Sequence, residues 1–521
     1  MSNDKWPIHH AKVLFITCMF WTVLLLTTSV PQFHGSWTLA ATLQPTRADD
    51  FVESIGVNTH LSYPNSCYYD YFNDFSKYLL ESGIRKIRDS LRDGPQWYYD
   101  RHNYLGMNGI KGIFLTDNPN RPAELIRSYP LKVPFIFERY EGINEYDLRG
   151  DPNWVNVTIE WTKFMWDNHN TSFPVLAPSL TSLAAFEAVG DLSAYVDFAN
   201  MHNYYGSYPP TKGWGPQTQY GFTGTVDYFH NLTSSTQVKK KKPVVTTETG
   251  WQTRLGPVIY WVPESIQAKY TLRSLMLQWM RGVERTYLYE MCDDREYFGL
   301  LYYNSTSNSE PPTPKPVYYA LKNMISVLEE KPRQPKFTLK ELTIEMNPNS
   351  TTNSKIQHTL FQKSNGNYYL AIWQETFGYD KGMFFNTTSL TVNLNFTQLS
   401  MFNVSLMRLY TFDTASGSMT NATVVLSKKH SNLISANFQI TDTMTLVEMI
   451  PHQSSPPPLG SPSVKPVPSP SGGNHPGRSL SKIPPKDKSD KANSGEKSGM
   501  VSSYQAIILT SIVILSILIV H

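Results

Sequence analysis

The feature that most constrains this chain is an eightfold alternation of short apolar runs with amphipathic stretches, spread over residues 54–328. Runs of four to six apolar or β-branched residues suit strands buried on both faces, as in parallel sheets. The first run covers 54–58 and leads to His60. The second covers 84–87 and ends at Arg88 and Asp89, and the third covers 109–115. The fourth is Pro134-Phe135-Ile136-Phe137, continuing to Glu141-Gly142-Ile143-Asn144-Glu145. The fifth is 174–178, and the sixth, 196–201, ends at His202, Asn203 and Tyr204. The seventh, Pro243-Val244-Val245, continues to Thr246-Thr247-Glu248-Thr249-Gly250, and the eighth is 286–289, ending at Glu290. Helical periodicity falls between them, most plainly at 154–168, 264–280 and 317–328. Eight βα units in order predict a closed (β/α)8 barrel over residues 50–332.

Beyond the barrel the texture changes. Residues 335–450 carry alternating runs separated by turn residues, such as 368–373, 404–410 and 443–449. Helical periodicity is absent there, so a small antiparallel β-sandwich is expected, with a stabilising role.

Three of the eight runs lead to a glutamate: the fourth to Glu145, the seventh to Glu248 and the eighth to Glu290. A carboxylate at the C-terminal end of a barrel strand is a costly structural choice and a common catalytic one. Two of them meeting across one mouth can cleave a glycosidic bond: one protonates the leaving oxygen, the other attacks the sugar carbon. The plainer reading, a structural ion pair with a barrel arginine, accounts less well for two glutamates at matching strand ends. The Asn144-Glu145 pair closing the fourth strand and Glu248 closing the seventh resemble the retaining glycoside hydrolases of the cellulase-like clan of (β/α)8 barrels (clan GH-A). The resemblance implies Glu145 as acid/base and Glu248 as nucleophile. It also implies Asn144 as the partner of the sugar 2-hydroxyl, Arg88 as the cation holding Glu248 ionised, and Tyr204 as a hydrogen-bond donor to the nucleophile. His202 and His60 are further candidates for lining the cleft, against the alternative of satisfied core histidines.

Three other glutamates compete for a role: Glu138, Glu141 and Glu290. Glu141 shares the strand face of Glu145 but lacks the preceding asparagine. Glu290 follows Tyr289 where many clan members carry a substrate-stacking tryptophan. An aromatic wall must then come from elsewhere, with Tyr205, Tyr208, Trp214 and Trp251 as candidates against ordinary loop packing. No metal-ligand spacing, phosphate-binding glycine loop or nucleophile-elbow serine is legible, so no cofactor is implied. The expected partner is a carbohydrate, cleaved at a β-O-glycosidic bond. A transglycosylase using the same carboxylates and a non-catalytic carbohydrate-binding surface protein remain alternatives.

Net charge is +3, which does not point to nucleic acid, and Lys239–Lys242 read as a solvated entry to the seventh strand. Lys5 and Lys12 precede an apolar run, 13–26, as in a signal peptide within residues 1–40, cut after Ser29 or Ala40. Residues 451–499 are rich in Pro, Ser, Gly and Lys and read as an extended stalk. The apolar run at 506–520, within a C-terminal segment 500–521, follows a small-residue triplet at Asn493, the layout of a GPI-attachment signal; a membrane-spanning tail is the alternative. Sequons at Asn156, Asn170, Asn231, Asn304, Asn349, Asn386, Asn395, Asn403 and Asn421 agree with the secretory pathway and the extracellular face of the plasma membrane. Cys18 lies in the signal segment. Cys67 and Cys292 follow strands one and eight, which become neighbours when the barrel closes, so a disulfide between them is feasible.

Overall fold

A computed structural model describes residues 39–219, 221–254, 260–294, 296–307, 309–348, 356–380, 382–385, 387–396, 404–430 and 433–451. The stalk, the apolar tail, Asn493, Cys18 and the sequons at Asn349, Asn386 and Asn403 lie outside these residues, as does the N-terminal segment up to residue 38.

Eight parallel strands form one sheet: β1 (Ile55–Asn58), β2 (Lys86–Ser90), β3 (Lys111–Thr116), β4 (Phe137–Ile143), β5 (Val175–Leu176), β6 (Ala199–His202), β7 (Val244–Thr249) and β8 (Arg285–Leu288). Their order is β5-β4-β3-β2-β1-β8-β7-β6. Between β5 and β6, a parallel bridge pairs Leu176 with Phe198, and Ala177 N donates to the Phe198 carbonyl at 2.9 Å. The sheet is therefore a closed barrel. A helix follows each strand: α1 (Phe72–Ser82), α2 (Gln96–Met107), α3 (Ala123–Lys132), α4 (Trp154–Asn168), α5 (Leu183–Val189), α6 (Val226–Leu232), α7 (Glu264–Met280) and α8 (Pro316–Leu328). Helices α4 and α7 have the bounds that periodicity predicts. Two short ones, α5 and α6, lie where the sequence shows no clear period.

The inside of the barrel explains both its apolar runs and their exceptions. Ile113, Leu176, Val245 and Tyr287 fill a central layer. Gly56 on β1 makes room for that tyrosine, because a Cβ there would lie 2.4 Å from Tyr287 Cδ1. Towards the N-terminal end the layer turns ionic. Arg285 forms two hydrogen bonds with Glu138, which also takes Lys86, and Arg139 pairs with Glu284. Strand four thus differs from expectation. Pro134–Phe135 precede it, Phe135 is half exposed, and the strand itself runs Phe-Glu-Arg-Tyr-Glu-Gly-Ile, with charged side chains paired inside.

The sandwich has two sheets, antiparallel except for one short parallel pair, around a core that includes Ile344, Leu370, Val392, Met407 and Val447. It does not lie wholly after the barrel. Leu39–Leu43 pairs antiparallel with Leu342–Pro348, and Thr46–Arg47 joins the other sheet beside Ile356–Gln362. The strand Tyr368–Gln374 is buried throughout. Its even-numbered residues Tyr368, Leu370 and Ile372 face the sandwich core. Tyr369, Ala371 and Trp373 join the cluster that packs the barrel helices. Two buried faces account for the unbroken apolar run, and they fasten the two domains together. Among the described residues no helix is long and apolar enough to cross a membrane.

Candidate active site

At the C-terminal mouth of the barrel the site is built around Arg88, the middle residue of β2. The side chain is buried, and its five N–H donors meet five acceptors. Nε donates to Glu141 Oε2 at 2.6 Å, and Nη2 to Glu141 Oε1 at 2.8 Å and Asn144 Oδ1 at 2.7 Å. Nη1 donates to Asn58 Oδ1 at 2.8 Å and to Glu248 Oε1 at 2.6 Å. A guanidinium so satisfied is fixed in plane and direction.

Glu248, on β7, also accepts from the Tyr204 hydroxyl at 2.8 Å. Burial pushes its carboxyl upward. The charges of His202 and Arg88, with the Tyr204 and Arg88 hydrogen bonds, more than offset this and hold it below the usual carboxylate range. Its carboxylate is therefore ionised at neutral pH, the state a nucleophile needs. Burial and the neighbouring carboxylates push the Tyr204 phenol well up, so it stays a donor.

Glu145 stands just past β4, on a left-handed backbone with φ 42°. A non-glycine residue there is uncommon and costs about 1 kcal/mol or more. Two features hold it: Glu145 N donates to Ser179 Oγ at 3.1 Å, and Gly142 before it abuts Pro178, where a Cβ would lie 2.6 Å from the proline nitrogen. The Glu145 side chain is 24% exposed against 10% for Glu248, so the former is the more open to a ligand. His202 sits between them, with Nδ1 2.7 Å from Glu145 Oε1 and 3.5 Å from Glu248 Oε2, and Nε2 2.9 Å from Thr247 Oγ1. Burial pushes the imidazole down, but the charges of Glu248 and Glu145 and the bond to Glu145 raise it above its ordinary value. Glu145, His202 and Glu248 each bring one oxygen or nitrogen within 4.8 Å of the others. Such a trio suits a metal in general. Here the adjoining Arg88 cation and the Tyr204 donor already serve Glu248.

Asn144 Oδ1 is occupied by Arg88 and by Ser179 Oγ at 3.2 Å, so its amide N–H groups are what it can offer a ligand. Asn58, Glu141, Asn200, Thr247 and Ser179 complete the floor. Asn200 Nδ2 and Thr247 Oγ1 both donate to Glu141 Oε1, at 2.9 and 3.1 Å. Sequence reading weighs Glu141 only as a rival to Glu145 and leaves the other four without a role, although all but Ser179 lie on or at the end of a recognisable strand.

Other candidates lie elsewhere. His60 is at the rim, stacked on Tyr63 with ring centroids 4.5 Å apart, its Nε2 3.4 Å from Glu290 Oε2. It bonds neither Glu145 nor Glu248. Glu290 is fully buried and takes the Tyr68 hydroxyl; burial and the charges of Asp294 and Asp293 push its carboxyl well up. Trp251 does not line the cleft: it is buried, stacked on Tyr205 at 4.6 Å, with Nε1 on the Tyr208 carbonyl. Tyr205 is likewise core. Trp214 is 43% exposed, its Nε1 donating to the Tyr204 carbonyl at 3.0 Å. Tyr289 and Phe298 pack edge-on beside Tyr204, at centroid distances of 6.5 and 5.6 Å.

Cys67 and Cys292 form a disulfide, with Cα atoms 6.6 Å apart. Of the sequons within the described residues, Asn156, Asn304 and Asn421 are exposed, and Asn170 and Asn231 are half-buried. Asn395 is buried in the strand Leu390–Phe396, between two neighbouring strands, and is closed to modification in the folded chain.

No protein-family model matches the chain, and no curated protein does. Solved structures do. A glucosidase from Croceicoccus marinus aligns at 8% identity over 72% of this chain and 91% of that one, with a TM-score of 0.45. A GH2 β-galacturonidase from Eisenbergiella tayi aligns at 14% identity, over 58% of this chain and only 56% of its own length, with a TM-score of 0.41. A glycoside hydrolase family 17 β-1,3-glucanosyltransferase from Rhizomucor miehei aligns at 17% identity, over 49% of this chain and 95% of that one, with a TM-score of 0.35. These likenesses are distant, and the functional reading below stands on the geometry of the site itself.

Proposed function

We propose that this chain is a retaining β-glycosidase of the cellulase-like clan, with Glu248 as nucleophile and Glu145 as acid/base. The observation that carries this reading is the pairing of the two carboxylates. They come from the ends of β4 and β7, and their nearest oxygens lie within 4.8 Å of one another. Retaining enzymes hold the carboxyl groups about 5–5.5 Å apart, and inverting ones about 6.5–9.5 Å, leaving space for a water. In the first step the ionised Glu248 attacks the anomeric carbon while the leaving oxygen takes a proton from Glu145. Arg88 and Tyr204 orient the nucleophile. Glu145, now a carboxylate, then takes a proton from the water that attacks the glycosyl-enzyme and frees Glu248. Asn144, with its N–H groups free for a ligand, suits the 2-hydroxyl.

The test is a screen of aryl β-glycosides, β-linked oligosaccharides and β-glucans, with the anomeric form of the first product followed by NMR. Release of the β-anomer supports the reading, and release of the α-anomer or turnover of none of them removes it. Longer oligosaccharides at high acceptor concentration would mark a transglycosylase.

The Cys67–Cys292 disulfide supports an oxidising compartment. With the sequons and the two terminal apolar runs, it supports a secreted protein held on the extracellular face of the plasma membrane by a lipid attached at Asn493. Of the two signal cuts, the one after Ser29 leaves the strand Leu39–Leu43 whole; the one after Ala40 removes two of its five pairs.

A further inference from the structure

We propose that Glu141 is a positioning residue for the nucleophile: it fixes the plane of Arg88 and takes up part of its charge, leaving Glu248 ionised but not fully neutralised. The inference rests on the reading of Glu248 as nucleophile. Glu141 is fully buried and beyond reach of substrate. It holds two of the five Arg88 donors in a parallel fork, at 2.6 and 2.8 Å, and this places Nη1 on Glu248. Glu141 is itself oriented by Asn200 and Thr247. One guanidinium thus faces two buried carboxylates, and each receives only a share of its field.

The barrel has a comparison for the plain structural role. Glu138 takes Arg285 and Lys86 at the other end of the same strand, and neither cation touches the cleft. Glu141 differs in sharing its arginine with the candidate nucleophile.

The sign of the effect follows from charge. Removing the Glu141 charge leaves Arg88 to Glu248 alone and takes away a neighbouring negative charge. Glu248 is then held ionised to lower pH and becomes a weaker nucleophile. Its other charged or titratable neighbours are Arg88, Glu145, His202 and Tyr204, in direct or near contact. His60, Tyr289 and Glu296 act on it through space. All seven remain in place in the variants below.

The experiment compares wild type, Glu141→Gln and Glu141→Asp by the pH profile of kcat/KM on an aryl β-glycoside. A 13C-glutamate NMR titration, assigned with Glu248→Gln, reads the Glu248 carboxyl directly. In Glu141→Gln the acid limb and the titration move down by about one pH unit, and the plateau falls about tenfold as the guanidinium loosens. Glu141→Asp keeps the charge but shortens the arm, so the acid limb stays at the wild-type position while the plateau falls. A merely structural residue would lower the melting temperature of both variants and leave the limb and titration unmoved. That result for Glu141→Gln overturns the proposal, as does a wild-type plateau in Glu141→Asp should the glutamine variant not fold. A wild type that turns over no β-glycoside removes the reading of the nucleophile instead, and the NMR titration still decides whether Glu141 shares the Arg88 charge.

Discussion

His202 Nδ1 lies 2.7 Å from Glu145 Oε1 and 3.5 Å from Glu248 Oε2, so one imidazole serves both carboxylates. Its proton affinity is raised, despite burial, by Glu248 and Glu145. Nδ1 faces Glu145, and Nε2 lies 2.9 Å from Thr247 Oγ1. Replacing His202 by Phe is expected to lower the plateau of kcat/KM about a hundredfold, most for poor leaving groups. Glu145 then lacks the ring that holds its carboxyl in place. A linked effect appears in stability. The folded value lies above the ordinary 6.5, so the contribution of His202 is complete below pH 6.5 and is lost as pH rises through the folded value. Thermal melts from pH 6 upward should show this loss in wild type and not in the variant.

Trp214 is the aromatic side chain best placed to hold a second sugar. Its indole lies against Gly224, where a Cβ would be 2.6 Å from Nε1, and it is tied to the Tyr204 carbonyl. The ring is thus fixed yet 43% exposed, beside Tyr204, which bonds the proposed nucleophile. Trp214→Ala should raise KM for β-linked tri- and tetrasaccharides roughly tenfold, the order of one aromatic contact. Aryl monoglycosides, which have no second sugar, should be unaffected. Equal loss on both substrates would place the ring outside the substrate path.

Glu138 sets an acid-stability expectation. Burial pushes its carboxyl up, but the Arg285 hydrogen bonds and the Arg285, Lys86 and Arg139 charges bring it down to about 2 from 4.5. A depressed carboxylate contributes stability above the unfolded value and loses it as pH falls through the folded one. Its contribution, of order 3 kcal/mol, is therefore intact above about pH 4.5 and lost towards pH 2. Glu138→Gln should destabilise the fold by about 3–5 kcal/mol at pH 7, because it strands Arg285 and Lys86. The gap from wild type should narrow below pH 4.5, as read from urea midpoints; a gap constant with pH would contradict this.

The Cys67–Cys292 bridge closes a loop of 225 residues between the segments that follow β1 and β8. The double serine variant should lose about 2–5 kcal/mol in denaturant unfolding. Reductant should shift the wild-type midpoint towards that of the variant and leave the variant itself unchanged.

Much of this was legible in the residues. Strand ends advertise themselves because burial on both faces forces apolar runs, and α4 and α7 carry enough turns to show their period. What escaped notice has physical causes. Strand four is polar inside because Glu138 and Glu141 find buried partners on other strands and Arg139 pairs with the half-buried Glu284 just before β8, and sequence distance hides those partners. The apolar run before it, Pro134-Phe135-Ile136, is mostly the approach to the strand. The strand Leu39–Leu43 is hidden because its first two residues fall within the expected signal segment and small apolar residues serve both purposes. Arg88, Tyr204 and Glu248 were named and do meet. Trp251 was misplaced because exposure of a loop aromatic depends on what packs over it, here Tyr205.

The assignment of Glu145 and Glu248 is tested most directly by azide rescue of Glu145→Ala on an aryl β-glycoside with a good leaving group. Glycosylation of Glu248 still proceeds there, since such a leaving group needs little protonation, while deglycosylation stalls for want of a base. The account predicts a slow variant that azide accelerates, yielding the β-glycosyl azide, and no turnover or rescue in a folded Glu248→Gln. An α-glycosyl azide, or a Glu248→Gln variant with wild-type turnover, would contradict it.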